Sequence, residues 1–297
     1  MADIIFIGLS LGSILLLIAL GLTIIYGAMG VINMAHGELA MIGAYTAVMA
    51  GIHLNLNLIL AIPLAFLVTA TLGWLIERLV IRRLYSRIMD TLLATWGIAL
   101  LLQQMIRLSL GLAFFGITIE GMGTGLQSVT LPEAFSQVWR IGDFVLQPYR
   151  SFIILVTLGL AGITWLLLYR TAFGIQVRAI MRNPEMAAAC GIDVRRVSSI
   201  TFAYGSGLAG IAGLLLAGLK TVSPDMGASL VVDGFLVVVV GGVGSLVGTI
   251  VSAGLLGQIN GVVAILSNDI LARALVLGLV ILVIMWRPGG LFNFKGR

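Results

Sequence analysis

IIFIGLSLGSILLLIALGLTIIYG, residues Ile4 to Gly27, runs for twenty-four residues without a charged side chain. A hydrocarbon layer roughly 30 Å thick needs about 20 apolar residues in a helix rising about 1.5 Å per residue, so the stretch reads as a membrane span. It is too long for the apolar region of a signal peptide, follows Asp3 rather than a basic segment, and lacks a small-residue cleavage site, so it is expected to be retained. The whole chain agrees. Of its 297 residues 60% are hydrophobic and 10% charged, with a mean hydropathy of +1.15, whereas a soluble domain carries roughly 25% charged residues. The lone Cys190 cannot form an intrachain disulfide, and two distant histidines provide no metal-ligand spacing. No basic tract with interleaved aromatics suggests nucleic acid; the partner that composition names is the lipid bilayer.

Working outward, apolar spans fall near 4–27, 34–51, 58–76, 91–111, 151–169, 199–219, 230–243, 245–266 and 271–286. The expected fold is an all-α polytopic bundle of about eight or nine transmembrane helices. Lys and Arg concentrate in short cytoplasmic loops, which places inside the loop with Arg78, Arg82, Arg83 and Arg87, the segment from Arg170 to Arg196, and a tail with Arg287, Lys295 and Arg297. Residues 113–150, carrying Glu120, Glu133 and Asp143, then form a periplasmic loop. Parity from the outside loop near Lys220 to an inside tail requires one reversal between Leu230 and Leu266. The natural break is Gly241, Gly242 and Gly244, with a re-entrant hairpin as the rival. The amino terminus faces out, and residues 31–45 are expected near the inner mouth.

Small residues four apart, as in Gly244, Gly248 and Ser252 or Gly257 and Gly261, let membrane helices approach closely. GGVGSLVG is no phosphate loop, because Val247 interrupts the glycine spacing and membrane-spanning sequence flanks it. Two glycine-broken spans, GLTIIYGAMGVINMAHGE and FLVVVVGGVGSLVG, echo each other, as inverted repeats of transporters do; chance likeness among glycine-rich helices is the alternative.

The cytoplasmic segment 170–198 has its own punctuation. Asn183 can cap a short helix, Pro184 fits its first position, Glu185 suits its positive first turn, and Gly191 can end it in the left-handed conformation. Such a short helix needs a partner surface. Its sequence from Glu185 through Ala188 to Gly191, preceded by Arg182, resembles the coupling loop of ATP-binding cassette importer permeases. VINMAHGELAMIGAY, DTLLATWGIALLLQQ, VVVVGGVGSLVGT and RPGGLF extend the likeness over nearly the whole chain, to the branched-chain amino-acid and urea importer permeases. Membership implies that 1–297 is a single permease domain in the bacterial inner membrane. It also implies a second related permease, two cytoplasmic ATPase subunits that bind ATP and Mg, and a periplasmic binding protein. The chain itself is expected to bind no cofactor and to be no enzyme: its two lysines, Lys220 and Lys295, follow no phosphate-loop pattern. A secondary transporter would normally place more charge at bilayer depth, and a channel would need no capped cytoplasmic helix.

Asn33, His36 and Glu38 interrupt an apolar stretch. Asn33 can cap the second helix and Glu38 complement its positive end, or the three can line the inner part of the pathway. Glu38 is the expected acidic residue within the secure spans, and no Lys or Arg is expected securely inside one. The resemblance is closer to the urea branch, in VINMAHGEL, TLLATWGIALLLQQ and RPGGLFNFKGR. That implies urea or a short amide as solute, with a branched-chain amino acid as the alternative. Thr95, Trp96, Gln103 and Gln104 could serve neutral urea from one helix face, or the glutamines could bridge helices.

Overall fold

The computed structural model describes residues 2–85, 87–110, 119–137, 139–141, 144–266, 269–287 and 289–291. Lys295, Arg297, Gly111 and parts of the 113–150 loop lie outside the described residues. The elements are α1 (Ala2–Met29), α2 (His36–Leu54), α3 (Leu58–Leu79), α4 (Ile88–Arg107), the short α5 (Glu133–Ser136), strands β1 (Trp139–Ile141) and β2 (Phe144–Leu146), α6 (Pro148–Arg170), α7 (Ala172–Arg182), α8 (Pro184–Ala189), α9 (Val194–Ala217), α10 (Met226–Gly241), α11 (Leu246–Leu266) and α12 (Asp269–Trp286). Among the described residues seven helices are long and apolar enough to cross a membrane, and α10 and the apolar part of α12 are shorter. Each expected span therefore has its helix. The two strands pair antiparallel within the long loop.

At the centre are α1, α2 and α9, the last with most of its residues buried. Side-chain volume cannot drive their association, because lipid is as apolar as leucine; close backbone approach can. A Cβ on Gly43 would meet the backbone of Gly210, and one on Gly213 that of Ala40, so α2 and α9 touch almost backbone to backbone. Gly12 and Gly257 do the same for α1 and α11. Ser252 donates to the Val237 carbonyl (2.7 Å), and Thr23 and Thr249 share a hydrogen bond (2.8 Å), joining α10 and α1 to α11.

The packing has a two-fold logic. α1 packs extensively on α11 as α9 does on α3; α2 lies on α9 as α10 lies on α1; α4 and α12 are peripheral. Units α1–α4 and α9–α12 begin from opposite sides, which is the inverted-repeat arrangement. Its correspondence differs from the sequence echo: the break at 30–35 matches that at 218–225, and the glycine turn Gly241–Gly244 is simply the reversal between α10 and α11. Gly242 (φ 96°) and Gly244 (φ 81°) take left-handed conformations there that a side chain would strain.

One boundary differs in depth from its sequence reading. His36, the first residue of α2, lies beside Gly21, which packs on Gly205 halfway along α9. Residues 30–35 are not helical, and Gly30 starts them at φ 66°. Six residues reach at most about 20 Å when fully extended, which leaves room for the turn at Met34 and Ala35 while the chain passes from the end of α1 back to mid-depth. Residues 31–45 therefore climb from the inner side to the middle of the bilayer rather than staying at its inner mouth.

Candidate functional site

α10 also starts below the surface, and its start meets that of α2. A Cβ on Gly37 would collide with the Gly227 carbonyl, and the Glu38 carboxyl occupies the space a Gly227 side chain would need. Two helix amino termini thus converge near the pseudo-two-fold axis, each presenting unsatisfied amides and the positive end of a dipole. The Glu38 carboxyl, 4% exposed, lies between them, within electrostatic reach of Asp225 and Arg107.

Asn33 does not cap α2 in the expected way. The N-cap position is Ala35, which makes no side-chain cap bond, and Asn33 Oδ1 accepts the Ala35 amide (3.1 Å) in a turn before it. His36 bonds through Nε2 to the Ile18 carbonyl of α1 (3.2 Å). Because a carbonyl only accepts, Nε2 carries the hydrogen. Asn33 Nδ2, His36 Nδ1, Glu38 Oε2 and Tyr45 Oη are four of the five buried side-chain polar atoms without a partner among the described residues. Orphaned polar atoms are costly at this depth, and their concentration on one short segment marks it as the candidate pathway site.

The α4 residues divide. Thr95 is buried, accepts the Met34 amide (3.2 Å) and fastens α4 to the broken segment. Gln103 donates to Asp225 Oδ1 (2.8 Å), which also pairs with Arg107. Trp96, 54% exposed, and exposed Gln104 leave that face, because neighbouring helical residues point about 100° apart. Gln103 is thus a bridge to the 218–225 segment. Asp225, Tyr45 and Asp233 were not singled out by the sequence reading. Asp233 lies inside α10, so Glu38 is not alone in depth, while Arg273 precedes the apolar part of α12. The Asp233 signal was legible: it stands alone in an apolar run.

On the arginine-rich side, Asn183 Oδ1 accepts the Met186 amide (3.0 Å) to cap α8, with Pro184 in its first turn. Ile192 N bonds Ala187 O (3.1 Å), Gly191 N bonds Ala188 O (2.9 Å), and Gly191 takes φ 84°: this is the paired closure that favours glycine. Glu185, Met186, Ala188 and Arg182 are exposed, and Ala187 alone of α8 is buried. The amphipathic helix α7, which the sequence reading left inside a loop, carries α8. A cleft of about 920 Å³ joins this segment to the glycine turn, bordered by Tyr26, Met29, Arg178, Met181, Pro184 and Ser245.

Beside it a fully buried Glu77 of α3 accepts from Arg82 Nε (3.3 Å) and Nη2 (3.2 Å), from Tyr85 Oη (2.5 Å) and from Ser199 Oγ of α9 (2.5 Å). This network also lay outside the sequence reading. Burial and the Glu77 carboxylate both push the Tyr85 phenol well above its ordinary range, keeping it a donor.

A broken-helix core in inverted repeats, with a capped helix displayed on the arginine-rich side, defines a polytopic transport permease. The family described as branched-chain amino acid transport system, permease component, matches residues 4–285, and the chain belongs to it. It is 30% identical to the high-affinity branched-chain amino acid permease protein LivH of Salmonella typhimurium, over 97% of this chain and 94% of the relative. It is 31% identical to BraD of Pseudomonas aeruginosa, another high-affinity branched-chain amino acid permease, over 96% and 94%. With a probable LivH of Methanocaldococcus jannaschii it shares 30% over 82% and 75%. No solved structure matches the chain. It is therefore a multi-pass inner-membrane permease component and not an enzyme, and its family implies ATPase and binding-protein partners. Nothing in the comparisons supports the urea branch specifically; they favour the amino-acid alternative.

Proposed function

We propose that this chain forms the solute pathway for branched-chain amino acids in an importer driven by partner ATPases. The observation that carries the energetic half is α8: six residues, capped at both ends, with little of its surface buried in this chain. Seven residues or fewer do not hold a helix unaided, so its rigid closure and exposed Met186 suit a receiving cleft on a second protein. The assembly we infer has a second related permease, two ATPases holding ATP and Mg, and a periplasmic binding protein. Glu38 and the converging starts of α2 and α10 form its central constriction, and Asn33 and His36 border it.

The solute is tested by uptake of labelled leucine, isoleucine, valine and urea in cells carrying the whole system. Saturable leucine uptake, dependent on the ATPase subunits, is expected. Urea uptake without leucine uptake would reverse the choice.

A further inference from the structure

A second polar site lies on the opposite face of α10. Ser229, Val232, Asp233 and Leu236 recur at helical spacing and, with Asn260 of α11 and Val276 and Leu277 of α12, enclose a groove of about 170 Å³. That is the space of five or six water molecules at about 30 Å³ each, the scale of one small aliphatic solute. Asp233 stands halfway along α10, and its neighbour Gly234 packs on Ile18 and Leu22 of α1, so the carboxyl lies at bilayer depth.

Asp233 is half-buried and engaged within the chain, while Val232 and Leu277 on the rim are 46% and 45% exposed. A carboxyl at this depth faces a protein partner or a watery path, not hydrocarbon. The lining combines polar groups, on Ser229, Asp233 and Asn260, with branched aliphatic ones, on Val232, Leu236, Val276 and Leu277. Ser229 spends its hydrogen on the Met226 carbonyl (2.9 Å), which leaves its oxygen free to accept.

We propose that this groove is a solute subsite for a zwitterionic aliphatic amino acid. Its ammonium group is taken by Asp233 and the Ser229 oxygen, its carboxylate by the Asn260 amide, and its side chain by the aliphatic residues of the lining. The ammonium joins or exchanges with the interaction Asp233 already makes. This deepens, and rests on, the reading of the solute as a branched-chain amino acid; urea has neither the charge nor the aliphatic body for these groups.

The test uses the complete importer. In a Cys190→Ser background, which removes the exposed native thiol, Val232→Cys is treated with a membrane-impermeant maleimide with and without leucine. Labelling that leucine slows, and urea does not, is expected. Failure to label, or labelling that leucine leaves unchanged, overturns the subsite. Asp233→Asn should lower leucine uptake at least tenfold in assembled complexes. Leu236→Ala should shift the leucine-to-valine uptake ratio toward leucine by about tenfold, the usual effect of one methylene-sized change. If the wild-type carries leucine and both variants keep its KM and ratio, the groove assignment falls and the solute reading stands. If the wild-type carries urea and no leucine, the solute reading itself falls.

Discussion

Arg82→Leu is expected to destabilise the protein more than Glu77→Leu, although the two residues form one ion pair. Glu77 is wholly buried, whereas the Arg82 side chain is 29% exposed at the arginine-rich edge. Removing the arginine strands a buried carboxylate with only the Tyr85 and Ser199 hydroxyls, a loss of about 3–5 kcal/mol for a broken buried pair. Removing the glutamate lets Arg82 turn to water. Ser199 keeps the Arg195 carbonyl (3.0 Å), and Tyr85 keeps Ser198 and the Met29 sulfur at 3.7 Å. The cost is then chiefly one weakened hydroxyl, about 1–3 kcal/mol at most.

Denaturant unfolding of the purified complex, followed by the loss of helical signal, measures the order directly. The gap of about 2 kcal/mol is more than tenfold in the equilibrium, since about 1.4 kcal/mol is a factor of ten. The double variant should be less damaging than the sum of the singles, because with both groups gone no charge is left stranded. An equal or reversed order, or strict additivity, would refute the account of the network as a buried pair with one end near water.

Three further outcomes follow from the two sites. Gly191→Val places a β-branched residue at φ 84°, about 1–2 kcal/mol or more of strain, and should reduce solute-stimulated ATP hydrolysis while the complex still assembles; unchanged stimulation counts against α8 as the coupling element. Asn183→Ala removes the α8 cap at about 1 kcal/mol, and should produce a milder loss of the same stimulation than Gly191→Val. Glu38→Leu removes the carboxyl between the two helix starts and should depress uptake well beyond any loss of assembled complex; proportional loss of both would make Glu38 a packing residue.

The spans were legible because a bilayer imposes a length and an apolar composition that a linear pattern records. Depth was not. Whether Val31 to Ala35 continue near the surface or climb to mid-membrane depends on the contact of His36 with Ile18, a neighbour eighteen residues away. The α8 punctuation was readable because caps are local chemistry: Asn183, Pro184 and Gly191 act within a few residues of themselves. Thr95 and Trp96 looked like neighbours on one face and were not, since adjacency in a helix separates side chains by about 100°. The repeat is hinted at by broken glycine-rich runs, but its true partners, 30–35 and 218–225, share non-helical backbone rather than composition. The solute leaning followed shared family stretches, which do not separate branches.

One element connects everything that bears on transport. A four-residue link joins α8 to α9, with Asp193 capping α9 through the Arg196 amide (3.0 Å). Its second turn holds Ser199 against Glu77, its middle packs at Gly205 against Gly21 beside His36, and Gly210 crosses Gly43. Its last residue, Ala217, packs with Met41, Ala44, Tyr45 and Val48 of α2. The chain then passes through Val222, bonded to Gln127, to Asp225 and the start of α10 at Gly37. Twenty-four helical residues span about 36 Å without an interruption, so under the coupling role proposed for α8 its displacement would reach the converging helix starts as movement of one rod. Those close backbone contacts leave no side chains to absorb it. The Glu77 network ties the α8 end of that rod to α3 through Ser199, so under the same proposal α3 and α9 would move together and the junction between α2 and α10 would take up the displacement.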